Sequence, residues 1–114
     1  MRKFAAALAM SAALIAGAAH AGPMDYAYGN TVVVSYGNGA VARYHFNADG
    51  SFHAVTPSGE VNGTYDFEGD QICLTPAGGE RGCTAAAPDK AVGDSWTQTA
   101  SDGSSITVSV EAGR

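Results

Sequence analysis

The chain has 114 residues, six basic and eleven acidic, for a formal net charge of −5. That length holds one domain and excludes a multidomain enzyme. The acidic balance argues against nucleic acid as a partner, whose phosphates are neutralised by Lys and Arg, and two cysteines are too few for an all-cysteine zinc site.

The first segment reads as an address. Arg2 and Lys3 form a positive start, Phe4 to Ala18 is an uncharged run dominated by Ala, Leu, Ile and Met, and Ala19-His20-Ala21 puts small residues at −3 and −1 of a cleavage site. These are the three parts of a Sec-type secretory signal peptide, here 1–21. The run is short and alanine-rich for a spanning helix, so no membrane anchor is expected after cleavage. The first cysteine, Cys73, lies too far along the chain for lipid attachment at the cleavage site. Removing 1–21 takes away Arg2 and Lys3 and leaves four basic against eleven acidic residues, a formal charge of −7 for a single secreted domain over 22–114. The alanine-rich signal points to a bacterial protein of the periplasm or the medium.

Gly22 to Asn30 reads as a loose arm that Tyr26 and Tyr28 could pin. Beyond it, apolar residues alternate with polar ones in short runs, the period of strands with one buried face. The predicted strands are Thr31–Tyr36, Ala40–Asn47, Ser51–Thr56, Val61–Phe67, Gln71–Thr75, Gly93–Ala100 and Ser104–Val110. Between them stand Asn38-Gly39, Ala48-Asp49-Gly50, Pro57-Ser58-Gly59, Glu68-Gly69-Asp70 and Asp102-Gly103, residues that supply the positive φ of tight hairpins. Ala-Asp-Gly-Ser at 48–51 and Ser-Asp-Gly-Ser at 101–104 repeat one turn chemistry. The stretch from Pro76 to Val92, with its glycines and alanines, reads as a loop with one short strand near Gly82–Ala85. The expectation is all-β: an antiparallel meander of seven or eight short strands forming a small barrel or a sandwich. Candidate core residues are Tyr36, Tyr44, Phe46, Phe52, Tyr65, Phe67 and Trp96, with Val32, Val34, Val61, Ile72, Leu74, Ile106, Val108 and Val110. This set fills a small barrel and leaves little room for a large ligand cavity.

Cys73 and Cys83 are the only cysteines, and an oxidising compartment pairs them. Their spacing is not that of a redox C-x-x-C motif, so the bridge is structural. No Gly-x-Ser-x-Gly elbow marks a hydrolase, and Asp66 starts no calcium loop, because Gln71 and Ala77 stand where Gly and Glu would be needed. No catalytic or cofactor-binding residue is assigned, and no cofactor is called for. The histidines give one geometric prediction. If Gly50 takes the left-handed position of a three-residue hairpin loop, Asn47 pairs with Ser51, Phe46 with Phe52, Tyr44 with Ala54, and His45 with His53 on the opposite face, with Asn62 next in line. Two imidazoles make half a tetrahedral site, so His45 and His53 are weak metal candidates beside the simpler reading of exposed side chains.

The succession Phe46-Asn47-Ala48-Asp49-Gly50-Ser51, Gly63-Thr64-Tyr65, Ile72-Cys73-Leu74-Thr75, Cys83 and Gly93-Asp94-Ser95-Trp96 resembles a group of small secreted proteobacterial proteins with the pattern D-G-T, G-T-W, C-x-T, C and G-x-x-W. Ser51 and Tyr65 stand where that pattern has Thr and Trp. The resemblance covers most of 22–114 and implies an exported β-domain with one disulfide; it implies no activity. The function expected from the sequence is non-enzymatic binding of a small ligand or an envelope protein. A small hydrolase or an inhibitor-like protein acting through its loops is the alternative.

Overall fold

The computed structural model describes residues 23–114; the predicted signal segment, 1–21, lies outside them. Eight strands follow a short 3-10 turn at Asp25–Ala27: β1 (Thr31–Tyr36), β2 (Val41–Phe46), β3 (Ser51–Thr56), β4 (Gly59–Glu68), β5 (Gln71–Pro76), β6 (Gly82–Ala85), β7 (Ser95–Thr99) and β8 (Ser105–Glu111). No α-helix occurs among the described residues. The predicted strands are found within two residues of their expected ends, and the short strand in the glycine-rich loop is β6.

All pairings are antiparallel, and the sheet order is β6-β5-β4-β3-β2-β1-β8-β7. Each strand thus pairs with its sequence neighbour, except that β6 and β7 are the two edges and β8 returns to pair β1. This is an up-and-down meander curled into a nearly closed barrel, which resolves the choice between barrel and sandwich. The β1–β8 closure is a ladder running from Thr31↔Glu111 to Tyr36↔Ile106. The β6–β7 closure is a seam joined by side chains.

Local chemistry sets the register. In the β2–β3 hairpin Gly50 takes φ 93° and its N–H donates to Asn47 O (3.1 Å), while Asn47 N donates to Ser51 O (2.9 Å). Asp49 Oδ1 accepts from the Ser51 amide (2.9 Å) and hydroxyl (2.7 Å). The β7–β8 turn repeats this with Gly103 at φ 89° and Asp102 Oδ1 accepting from Ser104 N (2.9 Å) and Oγ (2.7 Å). The two Asp-Gly-Ser turns are one structure used twice.

Gly63 faces inward on β4 opposite Phe52. A Cβ there would run into the Thr75 carbonyl oxygen and stand 2.7 Å from the Phe52 ring, so the ring lies directly on bare backbone. Phe46, Phe52 and Tyr65 pack around this place with centroid separations of 5.3–6.1 Å. On the outside, Arg43 Nη1 donates to Glu111 Oε1 at 2.7 Å. Their partners on β1 are Val33 and Thr31, so the ion pair reaches across β1 and helps bury the outward-facing Val33.

The disulfide Cys73–Cys83 is present and joins directly opposed residues of β5 and β6. It fixes the edge strand beside the seam. Two expectations need correcting. The arm 23–30 is not loose: Met24 and Ala27 are buried, and the arm covers one end of the barrel. Phe67 is 36% exposed, because it lies near the end of β4, beside Pro23 and Pro88, outside the space the arm seals.

Candidate functional site: an apolar cup

The strand directions define two ends. The arm, the 47–50 loop, the 68–70 turn, the 86–94 segment and the C-terminal residues gather at the floor. The 37–40, 57–58, 77–81 and 100–104 turns surround the mouth.

The floor is tied by a dense set of hydrogen bonds. The Tyr65 hydroxyl lies 2.6 Å from Asn47 O and 3.0 Å from the Tyr28 hydroxyl. A carbonyl can only accept, so the Tyr65 proton goes to Asn47 and Tyr28 supplies the other bond. Burial, then the Tyr28 contact, raises the Tyr65 pKa. Asn30 Nδ2 donates to Tyr26 O (2.8 Å), and Gly113 N donates to Asn30 Oδ1 (2.9 Å). The Arg114 guanidinium donates to the carbonyls of Asn30 (2.9 Å) and Phe46 and to Asn47 Oδ1 (2.9 Å). Tyr28 thus pins the arm, as its composition suggested, and Tyr26 meets Trp96 edge-on at 6.2 Å.

Above this floor the barrel encloses a cavity of about 370 Å³, at the lower end of the roughly 300–1,000 Å³ typical of small-molecule sites. Its walls are the inward residues of successive strands, among them Val34, Tyr44, Phe52, Leu74, Trp96 and Val108. The predicted core residues therefore face the interior without filling it. Tyr36, Tyr44, Val61, Leu74 and Trp96 point inward yet are only half-buried, because solvent reaches them through the mouth. The interior thus has room for a small ligand, though not for a large one. Burial pushes the Tyr26 phenol up to about 12; burial and the neighbouring Tyr36 hydroxyl do the same for Tyr44. Both stay neutral at ordinary pH.

The seam is one polar network. Gln98 Oε1 accepts from Trp96 Nε1 (2.6 Å); Gln98 Nε2 donates to Thr84 Oγ1 (3.0 Å) and Ala85 O (3.1 Å); Thr84 Oγ1 donates to Thr99 O (2.6 Å). Gln98 spends its donors and its carbonyl on holding β7 to β6 and on orienting Trp96 as cavity wall. Lys90 Nζ lies 4.8 Å from the centre of the Trp96 ring. The sequence reading missed Gln98 and Thr84. The available signal was a polar residue at an inward position, between Trp96 and Ala100 in the alternation of β7.

The histidine row forms as the hairpin geometry requires. His45 faces His53, with ring centroids 6.1 Å apart, and His53 faces Asn62, all on the outer wall. His53 Nε2 also lies 3.2 Å from Glu60 Oε1, a carboxylate the sequence did not place. Burial, then the charges of Arg114 and His53, lowers the His45 pKa. Among the described residues, the one cluster of three ligand atoms close enough for a shared ion is Glu68, Cys73 and Cys83, and its two sulfurs are bonded to each other. The histidine row completes no such cluster.

No family model matches the chain, and neither a curated protein nor a solved structure matches it. Among the described residues no helix is long and apolar enough to cross a membrane. The class defined by fold and site is therefore a disulfide-bearing, eight-stranded antiparallel barrel with a sealed floor and an apolar cup.

Proposed function

We propose that the chain is an exported bacterial protein, of the kind its leader and resemblance suggest, that binds a small apolar ligand without transforming it. The observation that carries this reading is the cup: a cavity of about 370 Å³ with aliphatic and aromatic walls, closed below by the arm and reached through the mouth. Eight strands give the barrel size whose interior can hold one small ligand. Both described histidines lie on the outer wall, away from the cup, which favours binding over the hydrolytic alternative. The disulfide suits an oxidising compartment.

Trp96 is the only tryptophan and lies in the cavity wall, so its fluorescence reports occupancy directly. Titration of the purified chain with N-phenyl-1-naphthylamine, a neutral apolar dye, is expected to show saturable one-to-one binding with transfer of excitation from Trp96. An absence of saturable binding overturns the reading.

A further inference from the structure

The mouth of the cup carries information about the ligand's polar end. Four turns surround it, and their only charged residues are Glu80, Arg81 and Asp102. Arg81 is drawn away: its Nη2 donates to Asp66 Oδ2 at 2.9 Å and its Nη1 lies 3.5 Å from Glu68, both on the outer wall of β4. Asp102 accepts from Ser104 within its own turn, which lowers its pKa and keeps it ionised. Glu80 is exposed, lines the cavity, and makes no hydrogen bond or ion pair with the described residues. The two acidic loops are neighbours, since a Cβ at Gly82 would stand 3.0 Å from Ser101 Oγ.

The walls below are uncharged. Gln98 and Thr84, the polar side chains of the seam, are committed to each other and to Trp96. A bound molecule thus meets neutral, apolar surface along its body and uncompensated negative charge where it emerges. A carboxylate or phosphate head emerging at the mouth would meet the negative charge of Glu80, which repels it at low ionic strength. A protonated amine would find an unpaired carboxylate.

Resting on the cup reading above, we infer that the ligand is an apolar amine, bound body-down with its ammonium group beside Glu80. Glu80 is then the residue that selects the head group, and the barrel interior accepts the body.

Three probes with one tail separate the two levels of this reading: decylammonium, decanol and decanoate, each titrated into the full chain at low ionic strength and followed by Trp96 emission. Decylammonium is expected to bind about tenfold or more tighter than decanoate, with decanol between them. Glu80→Gln should bring the two charged probes near parity and leave decanol unchanged. If decanol binds but the ammonium and carboxylate probes are equal, or decanoate is preferred, the head-group inference fails and the cup reading stands. If the ammonium preference persists in Glu80→Gln, the assignment to Glu80 fails. If none of the three saturates, the cup reading itself fails.

Discussion

The barrel closes twice, by different means. Where β8 meets β1, six residue pairs form a backbone ladder. Where β6 meets β7, three hydrogen bonds from Gln98 and Thr84 do the joining, and every one of them involves a side chain. A ladder uses groups that every residue except proline carries, so it tolerates substitution. A seam of side chains depends on particular residues and has unpaired edges on both sides. The seam is also where the short strand, the disulfide and the single tryptophan meet. Chain identity is therefore concentrated on one side of the cup, and backbone cooperativity on the other.

The largest expected effect tests the ladder side. Phe52 is 3% exposed and lies on Gly63 amid Tyr44 and Phe46. Phe52→Ala should destabilise the protein by about 3–5 kcal/mol in urea denaturation. A loss below about 1 kcal/mol would mean that the wall is not the stable half. Next is the staple beside the seam. Its loop spans ten residues of separation, and the chain-entropy model assigns its removal in Cys73→Ala/Cys83→Ala a cost of about 2.5–3 kcal/mol. Amide exchange should rise first in β6 and β7, while β1 and β2 continue to exchange by global unfolding. Uniform acceleration across all eight strands would break the comparison.

Much of the ladder side was legible in the sequence. Asp49-Gly50 fixed a three-residue loop, and that loop alone determined that Phe46 meets Phe52 and His45 meets His53. Hairpin registers are local, set by a few turn residues and a period of two. The seam was not legible, because β6 and β7 are joined by neither a turn nor a ladder, and a glutamine in a strand does not reveal its partners. The cavity was missed for a related reason. Alternation shows which side chains point inward, but not how far apart the opposite walls stand. The floor was half-read: Tyr28 was a suspected pin, but its partner Tyr65 lies 37 positions on, out of reach of any local pattern.

A smaller effect isolates the seam itself. Gln98→Ala removes the acceptor of the Trp96 N–H and both donors to β6. The groups left behind are partly solvated, so the global cost should be near 1 kcal/mol. The sharper readout is local: Trp96 emission should shift as the ring loses its anchor, and β7 amides should exchange faster with little change in β1. Unchanged emission and exchange would show that β7 is held by its ladder to β8 alone.

The smallest effect uses the repeated turn. Asp49 lies in the ladder wall and Asp102 at the seam, with the same two serine contacts in each turn. In both, the serine hydroxyl and then the serine amide hold the carboxyl below its ordinary 3.8. A carboxyl that titrates lower in the folded chain than in the unfolded one stabilises fully above 3.8 and loses that contribution as pH falls through the folded value. Asn in place of either Asp keeps an acceptor but not the charge. The stability gap between the parent and Asp49→Asn, or Asp102→Asn, should therefore be open at neutral pH and close in acid; a gap independent of pH would remove the carboxylates as its cause. The local consequences should differ. Asp49→Asn sits between two strands that are each laddered on both sides and should leave exchange in β2 and β3 at the global rate. Asp102→Asn loosens the hairpin that carries Gln98 and should speed exchange in β7. Equal responses at the two turns would mean that the seam opens only with the whole barrel, and that side chains there bind as cooperatively as backbone.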